Sequence, residues 1–312
     1  MELEQEQFCS LLSLAADEPL YGTASEQNVW LLLEYNATWH AKAVTDNELP
    51  APVQDWLAET LAAIPGSRLL FIRREGGPSP DGLHLFVIDG DDVETEQYRF
   101  LLSDYEALLE LDIPALLASP GAHDSAQWDE PIYAVCTNGR RDNCCAKFGR
   151  PVYQALAQAR PEQTWQCTHI GGHRYSGTMM AFPAGICYGR LDPGNVIAVA
   201  AAHERGEFDL DHLRGRSCYP AEAQVAEYYL RQSTGRTGLE DYMLIDASQP
   251  AHNEWLITFG DRQDNQLHDI WLRMRPHARR IVKSCGAAGD IEVTVYDLVA
   301  WEAVSPQDIG ID

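Results

Sequence analysis

Five side chains in this 312-residue chain have the types and spacing to bind a metal: Cys136, Cys144, Cys145, His169 and His173. Eight residues separate Cys136 from Cys145, and 23 more precede the segment His169-Ile-Gly-Gly-His173. Thiolate and neutral imidazole are the donors taken by iron, zinc and copper. The Gly171-Gly172 pair argues against a helical His-x-x-x-His, because each interior glycine costs about 1 kcal/mol relative to alanine. The glycines instead let the backbone turn tightly enough to bring both imidazoles to one centre. Structural zinc usually takes its paired cysteines from short Cys-x₂₋₄-Cys knuckles, and an eight-residue gap is wide for that. A cluster with two irons is larger and tolerates the wider spacing. A Rieske pattern fails: Cys167-Thr168-His169 supplies its first half, but Cys187-Tyr188-Gly189-Arg190 ends in arginine where histidine is required. The residues therefore point to a [2Fe-2S] cluster on Cys136, Cys145, His169 and His173, with Cys144 as the alternative to its neighbour.

That donor set has chemical consequences. Two thiolates and two neutral imidazoles leave such a cluster formally neutral when oxidised and singly negative when reduced. Four thiolates would make both states more negative, so the mixed set raises the reduction potential. An imidazole ligand also carries a second proton, which can couple electron transfer to pH. The expected activity is that of a soluble one-electron carrier working above plant-type ferredoxin potentials. The remaining cysteines read as structural: Cys167 and Cys187 as strand core residues, and Cys9, Cys218 and Cys285 as isolated buried or surface thiols.

Charge is distributed unevenly around these residues. Residues 1–130 carry 25 acids against 5 Lys or Arg, whereas residues 131–175 carry six bases against Asp142 and Glu162. The net charge of -24 excludes nucleic-acid binding through bulk charge. Arg140, Arg141 and Arg174 in the basic island are candidates for tuning the cluster or docking a partner, with ordinary surface salt bridging as the alternative. No apolar run approaches the roughly 18 residues that span a bilayer. The acidic start Met1-Glu-Leu-Glu-Gln-Glu6 is unlike a secretory signal, which points to the cytoplasm and to reduced thiols.

The elements that must position the site follow from periodicity. Residues 1–26 form an acidic arm or helix. Residues 27–128 read as an α/β unit, with strands at 29–35, 68–73 and 83–88, a helix at 52–63, and one or two short helices within 104–117. Residues 129–237 open with the strand Ile132–Cys136, followed by a loop carrying Cys144 and Cys145. A helix from Pro151 to Arg160 comes next, with proline at its first position, and then a strand at 164–167 that ends before His169. A hairpin around Pro183-Ala184-Gly185 and helices at 196–204 and 221–232 complete that unit, in the strand–helix–strand, hairpin, helix order of a thioredoxin-like sheet. Residues 238–312 are strand-rich, with strands at 254–259, 268–274 and 291–296.

The stretches Val135-Cys-Thr-Asn-Gly-Arg-Arg-Asp-Asn-Cys-Cys145 and Thr168-His-Ile-Gly-Gly-His-Arg174 resemble the sucrase/ferredoxin-like family. Supporting matches are Tyr188-Gly-Arg190, Leu213-Arg-Gly-Arg-Ser-Cys-Tyr-Pro220 and Ser284-Cys-Gly286. The resemblance implies a thioredoxin-like ferredoxin domain and [2Fe-2S] binding by two cysteines and two histidines. Its register selects Cys136, Cys145, His169 and His173, with eight residues between the cysteines, and leaves an extra role for Cys144 open. It also implies intracellular redox work with a reductase or acceptor protein as partner, and a homodimer is compatible with it. The chain reads as an electron carrier more than a hydrolase. No sucrase activity is expected, since one acidic turn, Asp89-Gly-Asp91-Asp92, does not make a glycosidase. The competing readings are a structural zinc module in a protein–protein adaptor and a thiol oxidoreductase, the latter weakened by the absence of Cys-x-x-Cys.

Overall fold

The computed structural model describes residues 8–92, 95–119, 124–287 and 289–304. Helix α1 (Cys9–Ala15) leads to β1 (Val29–Glu34), α2 (Ala51–Ala63), β2 (Ser67–Arg73), β3 (Leu83–Gly90) and β4 (Thr95–Leu102). After the short helix α3 (Ile113–Ala118) come β5 (Ile132–Cys136), α4 (Asn143–Ala159) and β6 (Thr164–Cys167). A hairpin of β7 (Met179–Phe182) and β8 (Ile186–Tyr188) precedes α5 (Val196–Glu204), β9 (Leu213–Arg216) and α6 (Ala221–Thr234). The remainder is β10 (Tyr242–Ala251), β11 (Glu254–Asp261), β12 (Leu267–Pro276), β13 (Ile281–Val282), β14 (Asp290–Ile291) and β15 (Thr294–Val304). The fold is mixed α/β. Among the described residues, no helix is long and apolar enough to cross a membrane.

The first nine strands form one mixed sheet in the order β4-β3-β1-β2-β6-β5-β7-β8-β9. Its middle strands are continuous apolar runs because both faces are covered. Along β1, Leu31 and Leu33 face a core shared with α2, while Trp30 and Leu32 face the layer that holds Cys136, Cys145, Cys167 and Cys187. The pairs β1–β2 and β5–β6 are parallel, and β2 meets β6 antiparallel at Ile72–Cys167 and Arg73–Gln166. The strand–helix–strand, hairpin, helix order expected from the sequence is present as β5-α4-β6-β7-β8-α5. The C-terminal residues make a separate four-stranded antiparallel sheet, β10-β11-β12-β15, whose apolar face packs on α6.

Two expectations change. The segment carrying Cys144 and Cys145 is not a loop: α4 begins at Asn143, eight residues before Pro151, which lies inside the helix. Asp142 makes the earlier start favourable by accepting the Cys144 N–H at 2.9 Å as an N-cap. Strands β4 and β9 lie in the sheet although neither was anticipated, because charged residues interrupt their apolar pattern. In β9, Arg214 and Arg216 are buried, and Arg216 shares Glu227 with the fully buried Arg231.

One packing contact fixes the register of α4 over β5. A Cβ on Gly149 would lie 2.0 Å from the Cys136 carbonyl oxygen, so only glycine permits this approach. Cys145 sits one helical turn earlier on the same face. Gly149→Ala must push α4 off the strand end, an overpacking that costs about 1–3 kcal/mol. A lower urea midpoint at unchanged m-value is expected in equilibrium unfolding; an unchanged midpoint would contradict this account.

Candidate metal centre

Three elements bring the predicted donors together. Cys136 ends β5, Cys145 lies in the first turn of α4, and His169 follows β6, which is parallel to β5 and pairs Cys167 with Cys136. Nδ1 of His169 is 3.6 Å from the Cys145 sulfur and 3.9 Å from the Cys136 sulfur, and all three atoms lie within 4.8 Å of one another. Both cysteines are buried and His169 is half-buried. His173 stands beside this trio. Its ring stacks on that of His169 at 5.6 Å, while its Nδ1 lies 3.4 Å from Oδ2 of Asp142 and 3.5 Å from the Cys9 sulfur.

The two thiols titrate as a pair. Hydrogen bonding from Cys145 drives the Cys136 thiol well below its usual value, helped by His169 and the Ile170 N–H and opposed by burial. The same bond holds Cys145 well above its usual value, and burial adds to this. The pair therefore favours one thiolate beside one thiol, and positive charge at this position would favour loss of the second proton. The N-terminus of α4 favours negative charge at this end.

Two arginines, Arg214 buried and Arg68 half-buried, hold the His169–His173 loop, and sequence reading did not assign them a role. Arg68 donates from Nη2 to the His169 carbonyl at 2.7 Å. Arg214 donates from Nη1 to the Gly171 carbonyl at 3.0 Å and from Nη2 to the Thr23 carbonyl. Gly171 and Gly172 take φ of +115° and +66°, and a Cβ on Gly172 would lie 2.3 Å from Nη2 of Arg214. The glycine pair therefore does two things: it turns the chain and admits the guanidinium. In sequence, only the match at Leu213-Arg-Gly-Arg drew notice to Arg214, without a mechanism.

The other basic candidates separate. Arg174 is tied to a fully buried Glu18 carboxylate at 2.7 Å, and Tyr175 and Ser13 also donate to that carboxylate. Arg141 lines a cavity of about 460 Å³ together with Lys42, Arg68, Asn138, Thr168 and His169. Arg140 is exposed beside His40. Cys167 and Cys187 are fully buried core residues, as anticipated. Cys9 and Cys285 are not isolated: both lie against Cys144, with sulfur separations of 3.4 and 3.2 Å. Only proximity in three dimensions, across 276 positions of sequence, could reveal that group.

Two outcomes follow from the arginine and glutamate anchors. Arg214→Met leaves two carbonyls without their charged donor, each worth about 1.5–3 kcal/mol, so purified protein should hold less metal and unfold at lower temperature. Lysine should not rescue it, because a single ammonium cannot span both carbonyls. Burial alone would raise the Glu18 carboxyl, but hydrogen bonds from Arg174, Ser13 and Tyr175 outweigh it and hold the group below its usual value. A depressed carboxyl contributes stability at neutral pH that is lost as pH falls below about 4.3. Glu18→Gln should cost about 2–3 kcal/mol at pH 7 and much less at pH 3–4, as read by urea unfolding of the metal-free protein at both pH values. Equal losses at both would contradict the assignment.

The family described as sucrase/ferredoxin-like matches residues 20–215. A protein of the yeast Meyerozyma guilliermondii, altered inheritance of mitochondria protein 32, is 31% identical over 97 residues, covering 28% of this chain and 34% of the yeast protein. The chain therefore spans about a third of the length of that relative. No solved structure matches. The match over 20–215 takes in every donor of the trio and His173, and the chain belongs to the sucrase/ferredoxin-like family.

Proposed function

We propose that this protein binds a [2Fe-2S] cluster through Cys136, Cys145, His169 and His173 and carries single electrons to and from a partner protein. The observation that carries the reading is the convergence of two buried sulfurs and one imidazole nitrogen within 4.8 Å. The donor chemistry fits, since thiolates with imidazoles replacing some of them are an established ligation of this cluster type. His173 fits as fourth donor through Nε2: its Nδ1 faces the Asp142 carboxylate, and such a carboxylate fixes the tautomer and raises the basicity of the ligating nitrogen.

When bound, the cluster supplies a one-electron couple. The chain's residues do the rest. Asp142 orients His173, Arg68 and Arg214 fix the loop between the histidines, and the Ile170 N–H supports negative charge on the Cys136 sulfur. Half-buried Arg68 adds positive charge near Cys136. Lys42 and Arg141, in the cavity that reaches His169, give an acidic redox partner a place to dock close to the site. The reading is of a carrier in a reducing compartment such as the cytoplasm, without a substrate of its own. A second reading, structural zinc in an adaptor, draws on the short donor separations, which also suit one tetrahedral ion.

Anaerobically purified protein should be red-brown, with iron and acid-labile sulfide in equal amounts and an EPR signal on reduction. His169→Cys and His173→Cys should each shift the spectrum towards the all-thiolate type and lower the potential. The wild-type potential should fall as pH rises, by up to about 59 mV per unit for one proton, because the reduced form holds a proton that the oxidised form releases. A colourless protein that carries zinc at Cys136 and no sulfide would favour the adaptor and sink the carrier.

A further inference from the structure

A second group of donors lies on the opposite side of His173 from the first. Cys9 of α1, Cys144 of α4 and Cys285 of the loop between β13 and β14 bring their sulfurs to 3.4, 3.2 and 3.6 Å of one another. Asp142 completes the set: its carboxylate is 3.8 Å from the Cys9 sulfur, and all four donor atoms lie within 4.8 Å. Cys9, Cys144 and Asp142 are buried, and Cys285 is half-buried. We propose that Cys9, Cys144, Cys285 and Asp142 bind one zinc ion, separate from the cluster site.

The distances select a single ion. Zinc–sulfur bonds of about 2.3 Å in a tetrahedron place sulfurs about 3.8 Å apart, and the observed edges of 3.2, 3.4 and 3.6 Å reach that with an expansion of about 0.2–0.6 Å. Sulfurs bound to different irons of a cluster would be further apart, because the irons are themselves separated. Three thiolates with one carboxylate suit a borderline ion that imposes no ligand-field geometry. Oδ1 of Asp142 keeps a lone pair for an ion after accepting the N–H of Cys144 at 2.9 Å, while Oδ2 faces the N–H of Cys285 at 3.0 Å and Nδ1 of His173 at 3.4 Å. The surrounding shell is already built: Ser10 Oγ is 3.3 Å from the Cys144 sulfur, and the Cys9 N–H points at the Cys285 sulfur from 3.5 Å.

Electrostatics points the same way. Two backbone N–H donors and His173 hold the Asp142 carboxylate in place as an anionic oxygen beside the three sulfurs, and a cation would neutralise the charge that four such ligands carry together. Zinc would supply that charge and release the thiol protons to solvent. A disulfide would satisfy two of the three sulfurs and leave the third beside the carboxylate. The bound ion would pin α1 and the β13–β14 loop against the start of α4. Site geometry at Cys145 and His173 would then depend on it without sharing a ligand.

The test uses the full chain supplied with both iron and zinc. One zinc per chain is expected, and absorption at the zinc edge should give three sulfur neighbours at about 2.3 Å and one light atom. Cys9→Ser and Cys285→Ser should each weaken zinc affinity more than about 100-fold, beyond the 10–100-fold that outer-shell changes cost. Cys136→Ser should lose iron and sulfide and keep the zinc, so failure of the cluster reading and failure of this one are distinguishable. The proposal is overturned if the wild type holds no zinc or forms a Cys144–Cys285 disulfide. It is also overturned if the edge spectrum shows fewer than three sulfurs, or if zinc departs with Cys136 instead.

Discussion

Thiols buried within a few ångströms of one another resist ionising together, and this repulsion governs the whole centre. The hydrogen bond between Cys136 and Cys145 pushes the Cys136 thiol down and the Cys145 thiol up, so one ionises ahead of the other. Cys144 repeats the pattern: hydrogen bonding from Cys9 and Ser10 pushes it down to about 6, while burial and its neighbours hold Cys285 up at about 11. Packing brings the sulfurs into contact, and positive charge from a metal would make that contact favourable. The fold therefore supplies grouped donors that could hold a metal, and binding one would release their last protons.

Such an arrangement needs a rigid frame, and buried and half-buried arginines provide much of it. Arg68 and Arg214 hold the loop between the histidines from one side, and Arg174 with Glu18 holds the following turn from the other. Each guanidinium donates to backbone carbonyls or to a buried carboxylate, which are the geometries that offset its desolvation. The chain is strongly acidic overall, yet it places its cations where anionic sulfur gathers. Glu18 is the exception that proves useful: its carboxylate fixes Arg174, and the Arg190 guanidinium donates to the Glu18 backbone carbonyl at 2.7 Å.

Much of this was legible in sequence wherever chemistry depends on local spacing. The gap between Cys136 and Cys145 and the glycines of His169-Ile-Gly-Gly-His173 carry their meaning in a few residues. Apolar runs of strand length identified the middle of the large sheet. Strands such as β9 did not stand out, because Arg214 and Arg216 are buried there through partners distant in sequence, including Thr23 and Glu227. The start of α4 was hidden because Pro151 resembles a first-turn proline, while the actual cap, Asp142, is a single polar residue in a charged stretch. Cys9 and Cys285 were unreadable for a simpler reason: no periodicity connects positions 276 apart.

The helical start of α4 also explains why two adjacent cysteines need not compete. Consecutive residues on a helix point about 100° apart, so one metal cannot take both without unwinding the first turn. Cys145 faces Cys136 and His169, and Cys144 faces Cys9 and Cys285. Between them stands Asp142, which caps the helix, contacts His173 and lies against the Cys9 sulfur. Any change in charge on one side is therefore felt on the other through one carboxylate and one imidazole. A loop carrying both cysteines would have left them free to exchange; the helix assigns each to its own side.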